Sequence, residues 1–212
     1  MAGCACGTNV RFEGVSRRYR RVLLAVIAIN AVMFVVEMTA GVLAGSQALK
    51  ADALDFLGDT LTYALSLWAI GRPLSVRSAA ALVKGASLGA MGLWVLGATL
   101  WQVLSTDVPV APVMGAVGAL AFAANVASVL LLLRYRDGDS NVRSVWLCSR
   151  NDAIGNVAVI GAAGSVALTG AAWPDLLVAA AMAALFLWSS AQIVTQALAE
   201  RAEARAGANA PT

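Results

Sequence analysis

Ala48-Leu-Lys-Ala-Asp52-Ala-Leu-Asp55-Phe-Leu-Gly-Asp59-Thr-Leu-Thr-Tyr63-Ala-Leu-Ser-Leu-Trp-Ala-Ile70 is long enough to cross a bilayer, and apart from Lys50 and three carboxylates it is nearly all apolar. A transmembrane helix needs about 20 mostly apolar residues. A carboxylate in hydrocarbon costs roughly 2.5 to 3.5 kcal/mol on insertion scales, so such groups usually line a bundle interior where they hold or relay charge. Similar apolar runs span Val22 to Leu43, Ser78 to Leu104, Val110 to Leu133, Val145 to Leu168 and Trp173 to Leu198. The expected fold is therefore all-α: a polytopic membrane protein of six transmembrane helices.

Composition agrees with this reading. Hydrophobic residues make up 60% of the 212-residue chain and charged residues 13%, outside the range of a soluble domain. The first run follows Arg17, Arg18, Arg20 and Arg21, as a signal peptide would, but it is too long for a signal core and Glu37 interrupts it. Arg and Lys accumulate before helix 1, between helices 2 and 3 (Arg72, Arg77), between helices 4 and 5 (Arg134, Arg136, Arg143) and after helix 6 (Arg201, Arg205). The remaining connections hold only Lys50. By the positive-inside rule both termini are cytoplasmic.

The net charge of +3 thus reports topology, and no basic face with interleaved aromatics suggests a nucleic-acid partner. Residues 1–21 form a cytoplasmic tail carrying Cys4-Ala-Cys6, a Cys-x-Cys that can capture a soft cation. Residues 22–198 form the bundle, whose partner is the lipid bilayer, and residues 199–212 form a short cytoplasmic tail. Three cysteines make no disulfide framework in a reducing compartment. Asp137 and Asp139, in the turn Arg134 to Arg143, lack the glutamate that would complete a calcium loop.

Helix positions separated by three, four or seven residues share a face. Asp52, Asp55 and Asp59 form one acidic stripe on helix 2, and Cys148, Asp152 and Asn156 align on helix 5. These helices run antiparallel, so facing them brings Asp55 toward Asp152 and Asp59 toward Cys148. At about 1.5 Å rise per residue, Asp59 and Asp152 sit roughly 16 and 10 Å from the nearest end of their helices. Three carboxylates and a thiol suit a four-coordinate divalent ion, and sulfur favours zinc or cadmium over magnesium or calcium.

The blander reading makes each acid a structural group paired with Arg150 or Lys84. Three carboxylates outnumber those cations, so Asp55, Asp59 and Asp152 read as ligands and Asp52 as support. Glu37, Asn30, Asn125 and Asn156 read as supporting groups or interhelical hydrogen-bond glue, and Arg150 as a neighbour of the site. With no histidine in the chain, proton exchange falls to the carboxylates and the thiol. An echo between the Asp59 and Asp152 regions, on oppositely directed helices, suits an inverted repeat.

The segment Gly45-Ser-Gln-Ala-Leu-Lys-Ala-Asp-Ala-Leu-Asp-Phe-Leu-Gly-Asp59 resembles the second helix of cation diffusion facilitator transporters, where Gly-Ser-x-Ala-Leu leads into Ala-Asp-x-x-(His or Asp)-x-x-x-Asp. Cys148-Ser-Arg-Asn-Asp152 resembles that family's (His or Asp)-x-x-x-Asp on helix 5, with Cys148 at the first ligand position. The Asn30 to Glu37 spacing in helix 1 is similar as well. The resemblance implies a divalent-metal exporter of the cell (inner) membrane, exchanging a cytoplasmic ion for external protons by alternating access. It implies Asp55, Asp59, Cys148 and Asp152 as ligands and a homodimer, in a short form without the cytoplasmic metal-binding domain common after helix 6. Family zinc sites typically include histidine, so cobalt, nickel and mercury stand beside zinc and cadmium as substrates.

Three rivals are weighed. A metal-dependent phosphatidyl-alcohol transferase would carry an upstream Asp-Gly-x-x-Ala-Arg, and an intramembrane aspartyl protease a Gly-x-Gly-Asp; neither is present. A non-transporting membrane subunit would need its acids only for assembly.

Overall fold

A computed structural model describes residues 16–69, 74–105, 107–135 and 140–208. They form α1 (Arg17–Ala44), α2 (Gln47–Ala69), α3 (Leu74–Val103), α4 (Ala111–Leu132), α5 (Ser140–Thr169) and α6 (Trp173–Ala208), with a 3₁₀ turn at Leu133–Tyr135 after α4. No strand occurs among the described residues. Each expected apolar run forms one helix. α5 begins earlier than expected, inside the stretch read as a turn, and α6 continues past Leu198 to Ala208. Hydropathy marks where a helix leaves hydrocarbon, whereas Ala, Glu and Arg keep a helix going in water.

Among the described residues, five helices are long and apolar enough to span a membrane. The sixth, α2, is crowded by Lys50, Asp52, Asp55 and Asp59. Large apolar side chains face outward along the bundle, among them Leu104, Trp101 and Leu168, the last 90% exposed. A surface of that kind belongs in lipid.

Local chemistry sets the helix ends. Ser16 caps α1, its Oγ accepting from the Tyr19 N–H at 3.1 Å. Gly45, in the left-handed region at φ 68°, closes the helix. The Gly45 N–H bonds Val42 O and the Ser46 N–H bonds Gly41 O, a Schellman pattern. The chain turns directly into α2, and α1 and α2 pack tightly: a Cβ on Gly41 would stand 2.9 Å from Lys50 Cγ.

α3 packs chiefly on α6, α4 on α5 and α1 on α2. The α3–α6 contact depends on a stripe of glycines four and three residues apart. A Cβ on Gly85, Gly89 or Gly92 would lie 2.7 Å from Val194 Cγ2, 2.8 Å from Ser190 Oγ or 2.9 Å from Leu187 Cγ. Small residues let helices close on each other in a solvent that provides no hydrophobic drive for it. Ser190 Oγ adds a bond to the Gly85 carbonyl at 2.7 Å.

The two ends of the bundle differ. At the end holding the α1–α2 turn, fully buried Asp175 of α6 receives Ser46 Oγ at 2.5 Å, the Gln47 N–H at 2.8 Å and the Ala48 N–H at 3.1 Å. Ser46 Oγ in turn accepts from the Leu49 N–H at 3.0 Å. The orphan donors of the α2 N-terminus are thereby satisfied by a carboxylate where the helix dipole favours one. Gln102 of α3 donates to the Gly45 carbonyl at 2.8 Å and accepts from the Gln47 side chain, and the Val110 N–H bonds Ala44 O at 2.9 Å. These bonds tie together five helices, α1, α2, α3, α4 and α6. At the other end a cluster of Tyr19, Leu23, Val26, Tyr63, Leu132, Tyr135 and Val145 packs where α1 begins and α4 passes to α5.

Asp175→Ala would strand the Gln47 and Ala48 N–H groups, at about 1–3 kcal/mol for each unpaired buried group. A loss of about 3 kcal/mol is expected on that basis, read from thermal unfolding in detergent. An unchanged melting curve would mean that α2 is held at this end by other contacts.

Candidate cation site

α2 and α5 touch each other less than either touches its main partner. Between them, with α3 and α6 as the other walls, lies a cavity of about 360 Å³. Asp55, Asp59, Cys148 and Asp152 all line it, as do Asp52 and Lys84. Asp152 of α5 lines the same cavity as Asp55 and Asp59 of α2, within electrostatic reach of both. Cys148, one turn earlier on α5, is a free, half-buried thiol in the field of Asp59. Among the described residues, no three His, Cys, Asp or Glu side chains are set as a metal cage. Asp59 accepts instead from the Tyr63 hydroxyl.

Behind the cavity a polar ladder crosses three helices. Asn125 Nδ2 of α4 donates to Asn156 Oδ1 at 2.8 Å, and Asn156 Nδ2 of α5 donates to Asp52 Oδ2 at 2.6 Å. All three residues are buried. Glu37 of α1 stands against Asp52, fully buried, with no donor to either carboxyl oxygen among the described residues. Facing carboxyls of this kind are stable only around a shared proton or cation. Asn30 satisfies itself within α1, donating to Val26 O at 2.9 Å.

Arg150 is not a neighbour of the acids. It is exposed, with its guanidinium 5.4 Å from the Trp146 ring centroid and bonded to Asn151 Oδ1 at 3.3 Å. Two residues before Asp152 is nearly half a helical turn away, so the two side chains leave opposite faces of α5. Cys4 and Cys6 lie outside the described residues, as do Asp137 and Asp139.

Tyr63 is a site residue that the sequence reading passed over. Its hydroxyl donates to Asp59 Oδ2 one turn back on α2 and lies 3.5 Å from the Val145 carbonyl of α5. It is buried in the apolar cluster at that end, so it both orients Asp59 and joins α2 to α5. The Asp59-x-x-x-Tyr63 spacing was the available signal. Asp175, alone in the first turn of α6, was passed over too.

A model of the cation efflux transmembrane domain matches residues 23–200. The chain belongs to the cation efflux family. That match runs through all six helices and includes every acid of the cavity. No curated protein sequence matches this cation efflux protein. Family membership makes it a membrane transporter that carries metal cations outward.

Proposed function

We propose that this cation efflux protein exports a divalent transition-metal ion, zinc or cadmium foremost, from the cytoplasm across the cell membrane in exchange for protons. Cobalt, nickel and mercury are secondary candidates. One observation carries the reading: three carboxylates and a thiol from two antiparallel helices line a single cavity. Oxygen and sulfur together favour a borderline or soft dication. Asp55, Asp59, Cys148 and Asp152 hold the ion, and Asp52, Glu37, Asn156 and Tyr63 position them.

The lining reaches from Asp52 toward Thr62 and Ile193, the end of the bundle where α1 begins. Arg17, Arg18, Arg20, Arg21 and Arg134 lie at that end, and by the positive-inside rule we take it as the cytoplasmic one. The opposite end is closed by the Asp175 network. Metal therefore loads from inside, and export requires the Asp175 end to part while the Tyr63 end closes. Carboxylates crowded in one buried cavity favour taking up protons when no ion lies between them, which makes protons the natural counter-cargo. An inner-membrane location and dimeric assembly accompany this reading.

Purified protein in proteoliposomes, given a panel of divalent ions, tests it. With the cytoplasmic face outward and the lumen acidified, zinc or cadmium uptake is expected to rise several-fold and to fall back when an ionophore collapses the gradient. Uptake indifferent to the gradient removes the proton coupling. No uptake of any dication removes the metal-transport reading.

A further inference from the structure

Lys84 is the one basic residue among those lining the cavity. It stands on α3 six positions after Ser78, where the apolar run begins, roughly 9 Å along the helix, and shares a face with Leu88, which also lines the cavity. Its neighbour Gly85 lets α3 close on α6 at Val194, which fixes the wall from which the lysine projects. The Lys84 ammonium lies in electrostatic range of Asp59 and Cys148. An ammonium inside a transmembrane span and facing a carboxylate cavity needs a role as well as a partner.

We propose that Lys84 is a tethered counter-cation of the transport site, one that an incoming dication displaces and a monovalent ion cannot. This rests on the metal-export reading above. Without an ion, the ammonium offsets part of the negative charge of Asp55, Asp59 and Asp152. A dication brings two charges and direct coordination, enough to take the carboxylates from the lysine. A sodium or potassium ion brings one charge, equal to the charge already present, and gains nothing by the exchange. Once the dication is seated, the nearby ammonium repels it and speeds its release. Lys84 thus trades affinity for turnover and selects by valence, while Cys148 selects by softness.

Zinc flux in proteoliposomes, as a function of zinc concentration and with added sodium or potassium, tests this in wild-type, Lys84→Met and Lys84→Arg proteins. Lys84→Met is expected to lower KM about 10-fold, lower the maximal rate and make zinc flux sensitive to monovalent salt. Lys84→Arg keeps the charge and is expected to restore KM and salt resistance toward wild type. An unchanged KM in Lys84→Met, or equal defects in both variants with wild-type zinc flux intact, overturns the role of Lys84. Absent zinc flux in the wild-type protein overturns the export reading instead.

Discussion

Asp152→Asn protein is expected to insert, fold and carry no metal above the level of empty liposomes. Asp152 of α5 lines the cavity with Asp55 and Asp59 of α2, within electrostatic reach of both. Asparagine is close in size and keeps one acceptor, so packing against the neighbouring α4 is undisturbed. It gives up the charge and one ligand oxygen. Loss of a partner outside the first ring of ligands already costs about 10- to 100-fold in metal affinity, so loss of a ligand should lower flux by at least about 100-fold. Helical content and detergent melting should stay close to wild type, because relieving carboxyl crowding in a bundle interior is no burden to folding. A folded Asp152→Asn protein with normal flux would remove Asp152 from the site.

Cys148→Ser is expected to keep transport and change its preference. Serine replaces a soft sulfur donor with a hard oxygen one, leaving a site built from oxygen alone. Zinc and cadmium gain most from thiolate, and manganese or magnesium from oxygen. The cadmium-to-manganese ratio of transport rates should therefore fall by roughly 10- to 100-fold. Flux across the same ion panel, with both ions in competition, measures the ratio directly. An unchanged ratio would make Cys148 a lining residue without contact to the ion.

The residues that could be read from sequence share one property: their geometry is local to one helix. Asp55 with Asp59, and Cys148 with Asp152, are fixed at one turn by helical repeat alone, and apolar run length places all six helices. Interhelical partners are another matter. Asn125 reaches Asp52 only through Asn156, across three helices, and Asp175 caps α2 from the start of α6. Neither pairing leaves a trace in spacing along the chain. Arg150 shows the converse error, because closeness in sequence to Asp152 suggested contact where helical phase forbids it. Lys84 was visible as a charge, but only the α3–α6 packing shows that it faces the cavity.

The proposed seat of the transported ion among Asp55, Asp59, Cys148 and Asp152 can be tested directly through the thiol. In a background with Cys4 and Cys6 replaced by serine, Cys148 is the remaining cysteine of the chain. The rate of its alkylation by a small maleimide, followed in membranes against zinc and cadmium concentration, reports occupancy of the cavity. The account predicts slowing by at least about 10-fold at saturating metal, with protection lost in Asp59→Ala. Alkylation at one constant rate, under metal concentrations at which the same protein carries zinc, would contradict it.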